Sequence, residues 1–476
     1  MIQVDKIPAV YIFHSGLLRH GMSGSEKKYL GDVIGRIEKM EIKGISIDSR
    51  NINKGELFIA IKGERFDGHD FVTDALKKGA WGALVERTAL EKKFGSLGGL
   101  KNILPVEDTL YALQEMAYLH RKKFTIPVIG ITGSNGKTTT KEMLTEILKQ
   151  KGSVLKNEGN LNNHIGVPLT LLKLDKKYKA AVVEMGMRAP GEIDTLSRLA
   201  SPTIGIITNI GPAHLAFLGS LDMIAQAKGE LLGNIRTDGI AVLNADDKYF
   251  GYLKNKFNGS IITFGIENPA DVQALAIQQD RDFTDFTLAA DGSKKDIRLR
   301  TMGKHNVYDA LAAAAAAIDA GIPIDAVKYG LDNFTPVAMR SEIKQLQGRT
   351  IFADYYNANP ASMEAALIAL MSLQTRKKTV AVLGDMLELG DFSSEAHREI
   401  GTIAARLGVD FVITMGHFSR DVVAGANNAG MPKERIFEAQ THKEAATLIR
   451  KVSHPGDAVL IKGSRGMKME KILEAF

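Results

Sequence analysis

From Ile126 onward the chain settles into an alternation. Apolar runs of about four to six residues, each closed by Gly, Asn or Asp, are separated by helix-patterned stretches. The runs in the middle of the chain lie at 127–131, 180–183, 203–208 and 240–243. Strands apolar on both faces and joined through helices predict a parallel sheet covered on both sides. The alanine-rich stretch 307–320 reads as a well-formed helix. Pro323 and then Asn333-Phe334-Thr335-Pro336 break the pattern, and the alternation resumes in a smaller unit at 351–354, 379–383, 411–414 and 458–461. That second stretch predicts another doubly wound, Rossmann-like sheet. Upstream of Phe124 the pattern is mixed, with short strands at 44–48 and 56–61 and helices at 71–79 and 110–121.

The expected fold class is therefore α/β in three domains: a small mixed α/β domain at 1–124, a central parallel sheet at 125–337, and a Rossmann-like domain at 338–476. A length of 476 residues agrees, at roughly 150 residues per domain. Residues 1–22 match nothing that follows; a disordered arm and an alternative start at Met22 are both open readings.

Composition narrows the function. The chain has 45% hydrophobic and 24% charged residues, the balance of a globular protein. No run approaches the roughly 20 apolar residues of a membrane span, and no cleavable signal is legible, so the expected location is the cytoplasm. Without cysteine there is no disulfide, thiolate nucleophile or Cys-ligated zinc. The net charge of +6 is spread along the chain, with only short clusters such as Arg121-Lys122-Lys123 and Arg376-Lys377-Lys378, so nucleic acid is not an expected partner.

The sharpest chemical signal is Gly133-Ser134-Asn135-Gly136-Lys137-Thr138, set between a strand and a helix that starts at Thr138. A tight glycine turn there points successive backbone N–H groups at one spot, backed by the positive end of the helix dipole. Lys137 supplies a mobile charge for β- and γ-phosphates, and the Thr138 hydroxyl suits Mg²⁺. A Walker A loop wants glycine where Ile131 stands, so this is a shorter phosphate loop.

Thr132-Gly-Ser-Asn-Gly-Lys-Thr-Thr139 resembles the nucleotide loop of the Mur ligases and folylpolyglutamate synthetases. Several further stretches are similar to the MurF type of Mur ligase: Asn160-Leu-Asn-Asn-His-Ile-Gly-Val-Pro-Leu-Thr170, Glu184-Met-Gly-Met-Arg-Ala-Pro-Gly-Glu192, Asn209-Ile-Gly-Pro-Ala-His-Leu215, Ala227-Lys-Gly-Glu230, Tyr356-Asn-Ala-Asn-Pro360, Leu383-Gly-Asp-Met-Leu-Glu-Leu-Gly390 and Lys462-Gly-Ser-Arg465. The resemblance implies an ATP-dependent amide-bond-forming ligase that joins D-Ala-D-Ala to UDP-MurNAc-tripeptide through an acyl phosphate. It also implies a UDP-sugar-binding role for the first domain and ATP binding for the second. ATP and Mg²⁺ are the implied cofactors, and the enzyme is expected to act as a monomer without inserting into a membrane.

Site residues follow from the same resemblance. Lys137, Glu184, His214 and Lys228 are the implied catalytic group; Thr138, Glu184, His214 and Lys228 hold metal, the last as a carbamate derived from CO₂. Gly133, Ser134, Asn135, Gly136, Lys137, Thr138 and Thr139 take the phosphates. Asn306 faces adenine, and Arg340 and Asp354 reach phosphate and ribose. Asp309 stands where the family commonly has a second Asn, and Tyr355 where a small residue is often seen. Ser49, Arg50, Asp67, Gly68 and His69 are expected to cradle the nucleotide sugar, with Asn162, Asn163, Asn357, Asn359 and Arg465 near the peptide substrates. Residues 335–339 are the expected hinge of the last domain. Three other readings compete. A ligase adding the third amino acid to UDP-MurNAc-dipeptide carries Asp-Asn-Pro-Arg in diaminopimelate-specific members, whereas Asn359-Pro360 is followed here by Ala361. Folylpolyglutamate synthetase lacks a UDP-sugar domain. A P-loop switch would leave Glu184, His214 and Lys228 without a purpose.

Overall fold

The computed structural model of the protein describes residues 24–94, 102–213, 215–280, 283–373 and 377–476. The 1–22 extension and His214 lie outside them. The chain divides into two compact units, Met1–Gly130 with Leu155–Pro202, and Ile131–Val154 with Thr203–Phe476.

In the first unit a four-stranded parallel sheet runs in the order Ile45–Ser46, Leu57–Ile59, Gly82–Glu86, Ile103–Val106. Its central strands are buried on both faces, which is why they read as continuous apolar runs. The helix Thr109–Arg121 covers one face, capped by Asp108, whose carboxylate accepts the Tyr111 N–H at 2.8 Å. Arg121, the first member of a basic cluster, is buried: its Nε donates to Ala200 O at 2.8 Å and its Nη1 to Phe124 O at 2.6 Å. That positive charge serves packing within the unit.

The second unit holds two sheets. In the larger, strand neighbours run Ser293–Leu299, Thr284–Ala290, Val272–Gln279, Ser260–Gly265, Ile240–Asn244, Ile204–Ile207. The pairings from Val272–Gln279 inward are parallel, as expected. The outer three strands form an antiparallel meander that the parallel reading did not include. Thr284–Ala290 is buried at alternate positions, so it covers the core on one face and meets water on the other, unlike the continuous runs. Its hairpin turns at Asp291-Gly292, both left-handed, which the Asp-Gly pair announces. The second sheet runs Glu342–Leu346, Arg349–Asp354, Ala458–Lys462, Thr379–Gly384, Phe411–Met415, Ile436–Glu438, parallel except for its first strand.

The alanine-rich helix, Lys304–Asp319, has no exposure from Ala312 to Ala317. Methyl-sized side chains let it pack closely, and it is a main neighbour of the helix Lys137–Leu148 that follows the phosphate loop. Among the described residues no helix is long and apolar enough to cross a membrane.

Candidate active site

The phosphate loop leaves the strand Val128–Thr132 and enters the helix Lys137–Leu148 through two glycines that nothing larger can replace. Gly133 has φ +149° and Gly136 φ +80°. A Cβ at Gly133 would overlap the Thr208 hydroxyl, and one at Gly136 would overlap the Asp309 carboxyl. Conformation and close approach thus demand glycine together.

A second segment, just past the strand Ile204–Ile207, clamps the loop. Asn209 accepts the Ser134 N–H on its backbone oxygen at 3.0 Å and the Asn135 N–H on its side-chain oxygen at 3.0 Å. The Thr208 hydroxyl donates to Asn135 O at 2.6 Å, and Ser134 Oγ donates to Gly211 O at 2.8 Å. Asp247 accepts the Ile210 N–H at 2.7 Å and so fixes the clamp in turn. Ser134 and Asn135, expected to face phosphate, therefore spend their N–H groups on holding the loop's shape. Thr208, Asn209 and Asp247 hold the loop in shape, a role not expected of them. Their signal was their place, at the carboxyl ends of parallel strands, where open α/β sheets build sites.

Two lysines converge on this loop. Lys137 Nζ donates to Gly133 O at 2.7 Å and Ser134 O at 3.1 Å. Lys228, at the end of the helix Leu221–Lys228 and only 2% exposed, donates to the same Gly133 O at 2.9 Å. Burial, and secondarily the charge of Lys137, holds the Lys228 amine well below the usual lysine range. A neutral amine is a nucleophile, whereas an ammonium is not. Asp309 is pushed the other way, to about 8, by burial, against the pull of Thr140, Arg340, Lys137 and Thr139. At neutral pH it is a protonated acid, able like the family's more common Asn to offer both a donor and an acceptor. Asn306, beside it on the same helix, is 2% exposed and gives its amide nitrogen to Met302 O at 2.6 Å and Thr301 Oγ1 at 3.1 Å. An adenine contact through Asn306 would use its oxygen.

The last sheet carries the remaining expected residues of this unit, and one of them, Asn359, reaches the same loop. Asn359 is an N-cap: its oxygen accepts the Ser362 N–H at 2.9 Å, and Ser362 Oγ returns the favour to the Asn359 N–H at 3.0 Å. Its other end, Nδ2, donates to Asn135 Oδ1 in the phosphate loop at 2.8 Å. Asp354 is a strut rather than an open acceptor: Oδ1 takes the Ser341 N–H at 3.1 Å and Oδ2 takes Lys462 Nζ at 2.6 Å. Burial opposes its ionisation, but Lys462 holds its pKa below the ordinary value. Lys462 also donates to Asn357 O at 3.0 Å, so the exposed Asn357 side chain sits on a braced turn. Arg465 pairs with Glu470 at 2.7 Å. Tyr355 is buried in the hydrophobic core on one face of this sheet, which explains a large residue there.

In the first unit, Arg50 is exposed and held by both oxygens of Asp48, at 2.9 and 2.7 Å, with Ser49 buried beside it. Gly68 lies so close to the backbone of Ala60 and Ile61 that a Cβ would clash. His69 is 1% exposed, with Nδ1 against Asp67 at 2.6 Å and Nε2 accepting the Glu86 N–H at 2.9 Å. Both ring nitrogens are engaged, so His69 positions Asp67 and has no ring nitrogen left for a ligand. Against the penalty of burial, Lys93 and His69 hold Asp67 at about 2, a permanent anion. Asn162 Nδ2 donates to Glu184 Oε1 at 2.8 Å, and Asn163 Oδ1 accepts the N–H groups of Ile165 and Gly166, starting the helix Gly166–Leu171. Glu184, 2% exposed, ends the strand Tyr178–Glu184, its backbone tied on both sides by Asn157 at 2.9 Å.

Comparison with known proteins agrees with this geometry. Three family profiles match in succession: the Mur ligase family catalytic domain at 41–121, the Mur ligase middle domain at 131–317, and the Mur ligase glutamate ligase domain at 339–465. A UDP-N-acetylmuramoyl-tripeptide--D-alanyl-D-alanine ligase of Bacillus subtilis is 39% identical over 92% of this chain and 93% of its own length. The crystal structure of MurF from Acinetobacter baumannii superposes with a TM-score of 0.85 at 34% identity, over 94% of this chain and 97% of that one. MurF ligase from Thermotoga maritima in complex with ADP gives 0.82 at 29% identity, over 94% and 98%. Matched by three successive Mur ligase profiles and 39% identical to a relative over 92% of its length, the chain belongs to the Mur ligase family and, within it, to the MurF type.

Proposed function

We infer that this protein ligates D-alanyl-D-alanine to UDP-N-acetylmuramoyl-tripeptide at the expense of ATP, yielding UDP-MurNAc-pentapeptide, ADP and phosphate. The observation that carries the reading is the pair of lysines on one loop carbonyl, one of them buried with its amine held toward the neutral form. A loop that only bound nucleotide would need Lys137 and would have no use for Lys228.

The tripeptide carboxylate is a poor electrophile until an oxygen of it takes the γ-phosphoryl group and ADP departs. The D-Ala-D-Ala amine then attacks the carbonyl carbon, a proton is lost, and phosphate leaves with the carboxylate oxygen. The dominant demand is charge stabilisation on the moving phosphoryl group, which falls to Lys137 and the start of the helix Lys137–Leu148. The neutral Lys228 amine is the form that adds CO₂ to give a carbamate. With Thr138, that anion would supply oxygen donors for Mg²⁺, whose chemistry here is to neutralise phosphate charge; Glu184 and His214 are proposed as metal ligands on the family resemblance alone. Asn306 and Asp309 address the base, while Ser49, Arg50 and Asp67 address the nucleotide sugar. We place the three domains at 1–124, 125–337 and 338–476, and the enzyme in the cytoplasm as a monomer.

The test is a ligation assay with ATP, Mg²⁺, UDP-MurNAc-tripeptide and D-Ala-D-Ala, following pentapeptide and phosphate together. Both should appear in equal amounts and only when all components are present. Phosphate released equally without D-Ala-D-Ala, or product formed instead from UDP-MurNAc-dipeptide and a single amino acid, would overturn the assignment.

A further inference from the structure

We propose that Tyr356 is a positioning residue: its ring is the platform that aims the Arg340 guanidinium at the phosphate loop. The Arg340 Cζ lies 3.8 Å from the centroid of the Tyr356 ring, in face-on cation–π contact. Arg340 senses the loop region, since its charge acts on Asp309, whose carboxyl packs against Gly136. Its Nε is buried without a hydrogen-bond partner. A buried guanidinium N–H is costly to leave unmade, so a group with that atom unpaired is poised for an acceptor the protein does not supply. A phosphate oxygen has the chemistry to fill it.

The backbone is shaped to the same end. Met339 at φ +67° and Ser341 at φ +49° flank Arg340, both left-handed and neither glycine. Such residues persist only where surrounding bonds over-determine them. Tyr356 N–H donates to Met339 O at 3.1 Å, Met339 N–H to Glu342 Oε2 at 3.1 Å, and Ser341 N–H to Asp354 Oδ1 at 3.1 Å. Asp354 is in turn locked by Lys462 at 2.6 Å. Tyr356 thus grips the arginine segment twice, by its backbone and by its ring. This gives the tyrosine of the Tyr356-Asn-Ala-Asn-Pro360 stretch a role distinct from that of Asn359, whose side chain makes the cap and the loop contact.

The inference rests on the nucleotide site of the proposed function. It is tested by a double-mutant cycle on the full chain, with Arg340→Ala, Tyr356→Leu and the pair. The readouts are Mg²⁺-dependent binding of the β,γ-imido analogue of ATP by calorimetry, and kcat against KM for ATP and for D-Ala-D-Ala. Tyr356→Leu should weaken analogue binding about tenfold and raise KM for ATP with KM for D-Ala-D-Ala unmoved. Tyr356→Phe, which keeps the ring, should stay within about twofold of the parent. In the Arg340→Ala background, Tyr356→Leu should cost less than about twofold more. An equal cost in both backgrounds, or Tyr356→Phe as harmful as Tyr356→Leu, would overturn the proposal. If Tyr356→Leu does not fold, Arg340→Lys decides: it keeps the charge but lacks the planar face and should weaken binding to a similar extent, and undiminished binding contradicts the platform. A parent protein that fails to bind the analogue would sink both readings, while binding indifferent to Tyr356 would sink only this one.

Discussion

Lys228 and Asp309 are the two groups beside the loop whose ionisation burial shifts most clearly, the lysine downward and the carboxyl upward. Burial, and secondarily the charge of Lys137, push the Lys228 amine well below the usual lysine range, the direction that favours the proposed reaction with CO₂. Lys228→Ala should therefore lower ligation by at least about 100-fold, since it removes charge compensation in the phosphoryl-transfer step, and added bicarbonate should not restore it. Near-parent turnover of that variant would remove the carbamate from the mechanism. Asp309 makes a prediction about stability. Its carboxyl ionises near pH 4 in an unfolded chain but at about 8 in the folded one. Between those values the folded state holds the extra proton, so Asp309 makes stability fall as pH rises from about 4 to about 8 and contributes no slope above that. Asp309→Asn removes the group. Its thermal midpoint, relative to the parent, should climb from pH 5 to pH 8 and then level off; an offset independent of pH would show that Asp309 is ionised throughout.

At the scale of elements, the site depends on short caps and clamps that join one secondary structure to the next. Asn359 is the clearest case, because one side chain caps the helix Pro360–Met371 and reaches Asn135 in the phosphate loop. Aspartate caps a helix about as well as asparagine but has no amide donor. Asn359→Asp should accordingly keep its thermal midpoint within a few degrees while losing about tenfold or more in kcat, the equivalent of one charge-sensitive hydrogen bond. Activity and midpoint falling together would mean that the cap alone matters. The same elements show what the sequence could carry. The phosphate loop and the buried parallel strands were legible, since glycine placement and apolar runs are local signals. The antiparallel meander from Val272 to Leu299 was not read, because half of each strand faces water and its pattern resembles a surface. The clamp of Thr208, Asn209 and Asp247 was hidden for another reason: their partners lie 37 to 75 residues away, and only the fold makes them neighbours. His69 shows the converse, a residue whose motif suggested substrate contact but whose ring nitrogens are both engaged inside the unit.

At the scale of the whole molecule, the chain is a Mur ligase of the MurF type, and the proposed ligation runs through transfer of a phosphoryl group to a peptide carboxylate. The product of that transfer is the acyl phosphate. It can be followed by using UDP-MurNAc-tripeptide with ¹⁸O in the reacting carboxylate and measuring the mass of the phosphate released as pentapeptide forms. The account predicts that one labelled oxygen moves from peptide to phosphate for each pentapeptide made, because the oxygen that takes the phosphoryl group leaves with it. Unlabelled phosphate alongside pentapeptide would contradict it.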